Sequence, residues 1–278
     1  MRLMIGMFGK KEKKGDVEMS FLDHLEVLRW HLVRSAIAVV VLACYFFIEK
    51  DLIFDKIILA PKYANFITYR IMCRLDDLVD AGGALCVNQL NFDLINTDLS
   101  GQFTMHMWIS IMSGFVASIP YILWEIWRFI KPALKEKERK NATGFVFYAS
   151  ALFIMGVLFG YYVVVPLSVN FLGSYQVSAA VANMISVDSF VGTVTNITLA
   201  SGIVFELPIL VYFLSSLGII TPEFMRKFRR HAVVVILVVA AIITPSPDIT
   251  SQMLVAMPLY VLYEISIFVS RFVVNKNK

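Results

Sequence analysis

The sequence predicts an all-α, polytopic membrane protein of six transmembrane helices, with both termini on the cytoplasmic side. Three observations predict it. Hydrophobic residues make up 58% of the 278 positions, and the mean hydropathy is +0.72, a balance no ordinary soluble globule has. The apolar residues gather into six runs, most of them near the roughly 20 residues that a helix needs to cross a bilayer. Basic residues then alternate between the seven segments outside those runs. The first holds 7 Lys or Arg when Arg34, at the start of the first run, is counted with it; the third, fifth and seventh hold 6, 4 and 3, and the second, fourth and sixth hold 5, 0 and 0. An excess of Lys and Arg marks cytoplasmic loops, so segments 124–143 and 218–231 join the termini on that side.

Residues 1–278 read as a single integral membrane domain, beginning with a polar, basic tail over 1–19. No secretory signal is evident, because Lys10–Lys14 lead into acidic and amphipathic residues rather than an apolar run. Residues 20–31 form an amphipathic interfacial helix capped by Ser20, with Phe21, Leu25 and Leu28 recurring at helical spacing. The first span follows at 32–48, where Arg34 is expected to snorkel back to the headgroups. Cys44 in this run reads as a small packed hydrophobe.

Segment 49–102 is a long, polar outer loop bearing Pro61, Cys73 and Cys86. Facing an oxidising compartment, the two cysteines suit a disulfide that contributes about 3 kcal/mol to loop order; two free thiols are the alternative. The second span, 103–123, continues past Pro120 to Trp124 and Trp127, at interface depth. The third, 144–167, ends near Pro166. The fourth covers 197–217, the fifth 232–244 and the sixth 253–269. The last two hold only 13 and 17 residues, short enough to thin the bilayer around them.

Glu206 is the only ionisable residue among the 21 from Ile197 to Leu217, roughly 15 Å from either end of a helix rising 1.5 Å per residue. A carboxylate at that depth is costly and marks a functional site by default. Pro208 removes a backbone donor beside it. Lipid satisfies neither group, so a cavity or a partner is implied. One reading makes Glu206 the protonatable site of an ion-coupled secondary transporter; another makes it a neutral acid between helices. Glu125, near the cytoplasmic end of its span, and Glu264 are the other acids of spans two to six.

Catalysis finds no support. Ser201 has no base on its helix, and His106 has no evident acid partner. The four histidines are scattered and no Cys pair has ligand spacing, so no metal or other cofactor is expected. The net charge of +4 follows from topology and does not point to nucleic acid. The stretch from Trp127 to Lys140 is the richest polar surface, with Glu136 and Glu138 among six basic residues. On charge alone it is a solvated loop. Aromatics beside acids are nevertheless what a receptor for a basic peptide needs, since guanidinium pairs with carboxylate and stacks on rings.

Four stretches carry a resemblance: His24-Leu-Glu-Val-Leu-Arg29; Trp127-Arg-Phe-Ile-Lys-Pro-Ala-Leu134 with Glu138-Arg139; Phe205-Glu-Leu-Pro208; and Asp248-Ile-Thr-Ser-Gln252 followed by Pro258, Tyr260 and Glu264. In this order and spacing they resemble TatC, the multispan receptor of the twin-arginine translocase of the bacterial inner membrane. The resemblance implies a concave, glove-shaped scaffold, without catalysis or cofactor, that binds twin-arginine signal peptides on folded cargo. It implies an oligomeric complex with single-span TatA/TatB-type partners, driven by the proton-motive force. Position by position, it implies that Glu138 receives the signal arginines, flanked by Phe129 and Arg139. Arg29 matches the arginine of the N-terminal motif and Pro61 the proline of the first outer loop. Glu206 matches the acid of the concave face, and Asp248 and Gln252 the polar pair entering the last span, where partner helices dock.

One departure bears on recognition. The family's usual His-Leu-x-Glu-Leu-Arg has its glutamate at the position of Val27, and here Glu26 precedes it. One residue is about a 100° rotation on a helix, so Glu26 serves the same site only if the helix is rolled. The long first outer loop and its cysteines have no counterpart in the resemblance.

Overall fold

The computed structural model describes residues 21–79, 86, 90, 92–131, 144–178, 183–245 and 249–277. Helix α1 (Phe21–Ile48) is continuous from the interfacial segment into the first span. It packs along α4 (Gly101–Ile130). The pair approach closely at Gly114, where an added Cβ would lie 2.6 Å from the Ala43 amide nitrogen. Helix α4 continues through Pro120, which is exposed and withholds one backbone donor from the ladder. Cys44 is exposed on α1 and not packed as expected, since α1 buries only the narrow stripe that meets α4.

Among its described residues, the segment expected to be a polar loop is largely helical. Short α2 (Lys50–Ile53) passes into a π-helical turn (Phe54–Ile58) and a 3-10 turn (Ala60–Lys62) that contains buried Pro61. Helix α3 (Ile67–Val79) follows, tied by a disulfide between Cys73 and Cys86. Its polar composition hides a helical period, which is why it reads as a loop. Tyr69, 1% exposed, fastens this cap: its hydroxyl donates to Pro61 O at 3.2 Å and Pro166 O at 3.0 Å. Burial pushes the Tyr69 hydroxyl above its usual pKa. Strand β1 (Asp93–Ile95) pairs in parallel with β2 (Met184–Ser186), Asp93 opposite Met184. That pair joins the cap to the connection between the third and fourth spans.

The third span comprises α5 (Phe145–Phe159), a π-helical turn (Gly160–Val164) and α6 (Val165–Ser174). Pro166 does not end it, contrary to expectation. It sits in the first turn of α6, directly after the π-helical turn, and the carbonyl of Tyr162 four residues back accepts from Thr68 Oγ1 in place of a proline N–H. The fourth span is α7 (Val187–Val204) and α8 (Leu207–Ser216), broken at Phe205 and Glu206. Gly156 and Gly160 on the third span let the fourth approach closely. An added Cβ at Gly156 would meet Ser201 O at 2.6 Å, the small-xxx-small packing of membrane helices.

Short α9 (Pro222–Lys227) leads to α10 (Arg229–Ile243) and α11 (Ile249–Asn277). Five described helices or helix pairs are long and apolar enough to cross a membrane. With 15 residues, α10 reaches only about 22 Å and stays the short element that the sequence predicts. The last span is not short, because α11 runs for 29 residues. The main core, including Phe92, Val164, Val191 and Leu259, spreads through the bundle, and a smaller cluster of Trp127, Phe145 and Ala149 lies at the end carrying the basic segments.

Candidate functional site

At that basic end, the N-terminal part of α1 meets the C-terminal part of α4 around one carboxylate. Glu125 is 1% exposed. Its Oε1 accepts from Arg34 Nε at 3.1 Å and from the Tyr121 hydroxyl at 3.0 Å. Its Oε2 accepts from Arg34 Nη2 at 3.2 Å and is hydrogen-bonded to His31 Nδ1. Arg34 Nη2 also lies 3.0 Å from His31 Nδ1. Guanidinium only donates, and a single ring nitrogen cannot donate and accept at once. The arrangement is therefore satisfied with the proton on Nδ1 directed at the carboxylate. Arg128 Nη1 is 3.8 Å from Oε1, and its guanidinium lies 4.8 Å over the Trp124 ring. A nearly buried acid thus gathers two arginines and a histidine, the pairing that a buried charge requires.

The cluster reaches the predicted recognition residues. The His31 ring packs edge-on to Phe129, with centroids 6.1 Å apart. Trp127, stacked on Phe145 at 4.9 Å, fixes the end of α4 from the other side. On α1, Arg29 lies about half a turn and Glu26 about one and a half turns before His31. They pair with each other at 3.5 Å with both side chains about two-thirds exposed, at 66% and 65%, so the bond is weak and easily exchanged for a ligand. Arg29 also approaches the Trp30 ring at 5.7 Å. The structure therefore brings Phe129, His31 and the Glu26-bearing helix to one end. Glu138 and Arg139 lie outside the described residues.

Glu206 stands apart from this site. It occupies the break between α7 and α8, the twentieth of 30 residues from Val187 to Ser216, about 15 Å from the end of α8. Its Oε1 is buried and has no hydrogen-bond partner among the described residues. Pro208, buried in the first turn of α8, supplies no donor. Pro61 is distant in role, held by Tyr69 in the opposite cap. Gln252 Nε2 donates to Leu237 O at 3.0 Å, joining α11 to α10, while Asp248 lies outside the described residues. Glu264 is a structural acid: it accepts from Arg229 at 2.6 Å and from Tyr260 at 3.1 Å.

Arg34 does not snorkel to headgroups; it turns inward because an unpaired Glu125 at that depth would be costlier than the loss of water contact. The Arg34–Glu125 pair is the part that sequence reading missed. Its signal was an unlike charge in each of two consecutive spans, both near the same end.

The TatC family profile, described as Sec-independent protein translocase protein (TatC), matches residues 23–258. The chain belongs to the TatC family. It is 36% identical over 270 residues to the Sec-independent protein translocase protein TatC of Blattabacterium sp. subsp. Periplaneta americana (strain BPLAN), covering 97% of this chain and all of the relative. It is 32% identical over 259 residues to TatCy of Bacillus subtilis (strain 168), covering 93% and 91%. A crystal structure of the twin-arginine translocase receptor TatC in DDM superposes with a TM-score of 0.68 at 32% identity, covering 88% of this chain and 98% of that one. The protein is thus a protein-translocase component of the TatC family, a multi-pass membrane protein of the bacterial inner membrane. Family membership rather than Glu206 decides against an ion-coupled solute carrier.

Proposed function

We propose that this TatC-family chain receives twin-arginine signal peptides of folded precursors at the end where α1 meets α4. The observation that carries the reading is the placement of Phe129 against His31, with the exposed acid Glu26 on the same helix as His31. An aromatic ring and a weakly engaged carboxylate on neighbouring helix ends offer what a guanidinium binds. Glu138 and Arg139 complete this surface from the 132–143 segment, Glu138 as the main acceptor of the signal arginines. The relatives' solved structure, described as a twin-arginine translocase receptor, supports the same assignment.

In this reading the whole chain is one integral domain of six spans, α10 included, with 1–19 as a tail and both ends in the cytoplasm. TatA/TatB-type single-span proteins dock along Glu206, Gln252 and Asp248 in an oligomeric complex, and the proton-motive force drives export. Pro61 shapes the outer cap. The orphaned Oε1 of Glu206 supports a polar contact with a partner helix.

Site-directed cross-linking in membrane vesicles tests the reading. Glu138→Ala and Glu26→Ala each reduce cross-linking of an Arg-Arg precursor while the protein still inserts. A loss of one charge-assisted contact is worth about 1.5–3 kcal/mol. Equal cross-linking of Arg-Arg and Lys-Lys precursors to the unaltered protein would remove the receptor role.

A further inference from the structure

Helix α3 has three distinct faces, and one of them is an apolar stripe left exposed among the described residues. Ile67, Ile71, Leu75 and Leu78 are 45%, 50%, 47% and 80% exposed. Their spacing of four, four and three places them within an arc of roughly 80°. The opposite arc holds buried Tyr69 and Asp76. Arg70 and Arg74, both exposed, border the apolar stripe on one side.

The stripe runs on directly from the third span. Thr68 Oγ1 donates to Tyr162 O, and Phe66 stacks on Tyr162 with centroids 5.6 Å apart. A shallow recess of about 320 Å³ is lined by Ile67, Ile71 and Met72 together with Tyr162 and Val163. Tyr162 is 17 residues beyond Phe145, where the third span begins, hence about 26 Å along the helix. Against about 30 Å of hydrocarbon, that depth is the far edge of the apolar core. Ile67 and Ile71 therefore meet the exposed flank of the third span at the depth of an interface.

We propose that α3 is an interfacial foot, lying with its Ile67–Leu78 stripe in the lipid surface at the disulfide end of the bundle. Lipid fits better than a protein partner for two reasons. The stripe continues a bilayer-facing wall, and its arginine edge suits anionic headgroups, as in other interfacial amphipathic helices. The Tyr69 clamp on Pro61 and Pro166 holds the opposite face on the protein, so the stripe cannot roll inward. The inference does not rest on the signal-peptide reading. If the positive-inside orientation holds, the surface is the outer leaflet.

The test uses the full chain with Cys44→Ser, which leaves only the disulfide cysteines of the three in the sequence. Single cysteines at Ile71, Leu75 and, as control, Asp77 are spin-labelled after reconstitution in phosphatidylethanolamine/phosphatidylglycerol nanodiscs. Labels at 71 and 75 are expected to collide more with oxygen than with a water-soluble nickel chelate, and the label at 77 to show the reverse. Nickel-accessible labels at 71 and 75 would overturn the proposal. So would labels shielded from both reagents, which would mean that a second copy or another protein covers the stripe. Should the labelled variants fail to fold, Ile71→Trp against Asp77→Trp gives the same answer. Brominated lipid then quenches the added tryptophan at 71 and spares that at 77; equal quenching at both positions refutes the foot.

Discussion

Arg34 on α1 holds Glu125 on α4 through two guanidinium nitrogens, at 3.1 and 3.2 Å, across 91 residues of sequence. The close approach at Gly114 and this ion pair fix α1 against α4 at two heights. Two points define a line, so the helix end bearing Glu26 keeps its direction relative to Phe129.

Removing one partner from the pair is expected to be severe. Arg34→Ala leaves a carboxylate that is 1% exposed with fewer donors, and breaking such a pair costs about 3–5 kcal/mol. The lower end applies, because the Arg34 side chain is itself 39% exposed and water screens part of the attraction. Thermal unfolding in detergent measures it. The double variant Arg34→Ala/Glu125→Leu should be less destabilised than the single Arg34→Ala; additive losses would mean that the two residues do not act together.

The apolar runs that become the five long spans were legible because hydropathy is a local quantity. The break at Glu206 was legible for the same reason, since an acid and Pro208 share one turn. The Cys73–Cys86 bridge was legible only as one of two alternatives, since two free thiols fit the sequence as well, and the structure shows the bridge. Arg34 with Glu125 was not legible as a pair, because only the rotational register of α1 on α4 decides whether Arg34 faces protein or headgroups. Helix α3 was missed because its apolar stripe is diluted by Arg70, Arg74, Asp76 and Asp77. Pro166 misled, since a proline stops a helix in mid-ladder and starts one in a first turn, and the sequence does not say which turn it occupies.

Gly156→Val is expected to separate the third and fourth spans. A Cβ at this position would lie 2.6 Å from Ser201 O and 2.7 Å from the Phe205 Cβ, and backbone cannot yield as a flexible side-chain tip does. Overpacking of this kind costs about 1–3 kcal/mol or more. A fall in the unfolding midpoint for Gly156→Val, with none for Ala151→Val on the exposed side of the same helix, tests the contact. Equal effects would refute it.

Removing the disulfide is expected to loosen α3 without unfolding the bundle. The bridge spans 13 residues, and closing a loop of that size stabilises by about 3 kcal/mol. Cys73→Ser/Cys86→Ser should speed amide exchange in α3 by roughly 100-fold, since each 1.4 kcal/mol is a factor of ten, and leave α4 and α5 unchanged. Unaltered exchange in α3 would show that Tyr69 alone holds it.

Tyr69→Phe removes two hydrogen bonds from a buried hydroxyl and leaves two carbonyls, Pro61 O and Pro166 O, without this donor. The expected loss is about 1–3 kcal/mol. The pH dependence has a definite sign. Because burial raises the folded-state pKa of Tyr69, its contribution is fully present below the unfolded tyrosine value of about 10 and is lost as pH rises beyond it. The alkaline decline in stability should therefore be shallower for Tyr69→Phe than for the unaltered protein; parallel alkaline slopes would assign the decline to other groups.

Variants at Glu206 are expected to separate recognition from transport. Glu206 lies at the α7–α8 break with a buried Oε1 that has no hydrogen-bond partner among the described residues, and none of the described contacts around Glu125 involves it. Glu206→Gln keeps the shape and offers a donor and an acceptor, yet no carboxylate. Precursor cross-linking near Phe129 should stay as it is, because that surface is held by His31, Arg34 and Glu125. Export and co-purification of single-span partners should fall, because a partner's polar group at membrane depth would lose the strong acceptor that a carboxylate provides. Glu206→Leu sharpens the comparison. Replacing a buried acid that lacks a partner by an apolar side chain is neutral or stabilising for the isolated protein, so lost export with an undiminished unfolding midpoint would place the defect in docking. Lost precursor cross-linking in either variant would instead make Glu206 part of the reader.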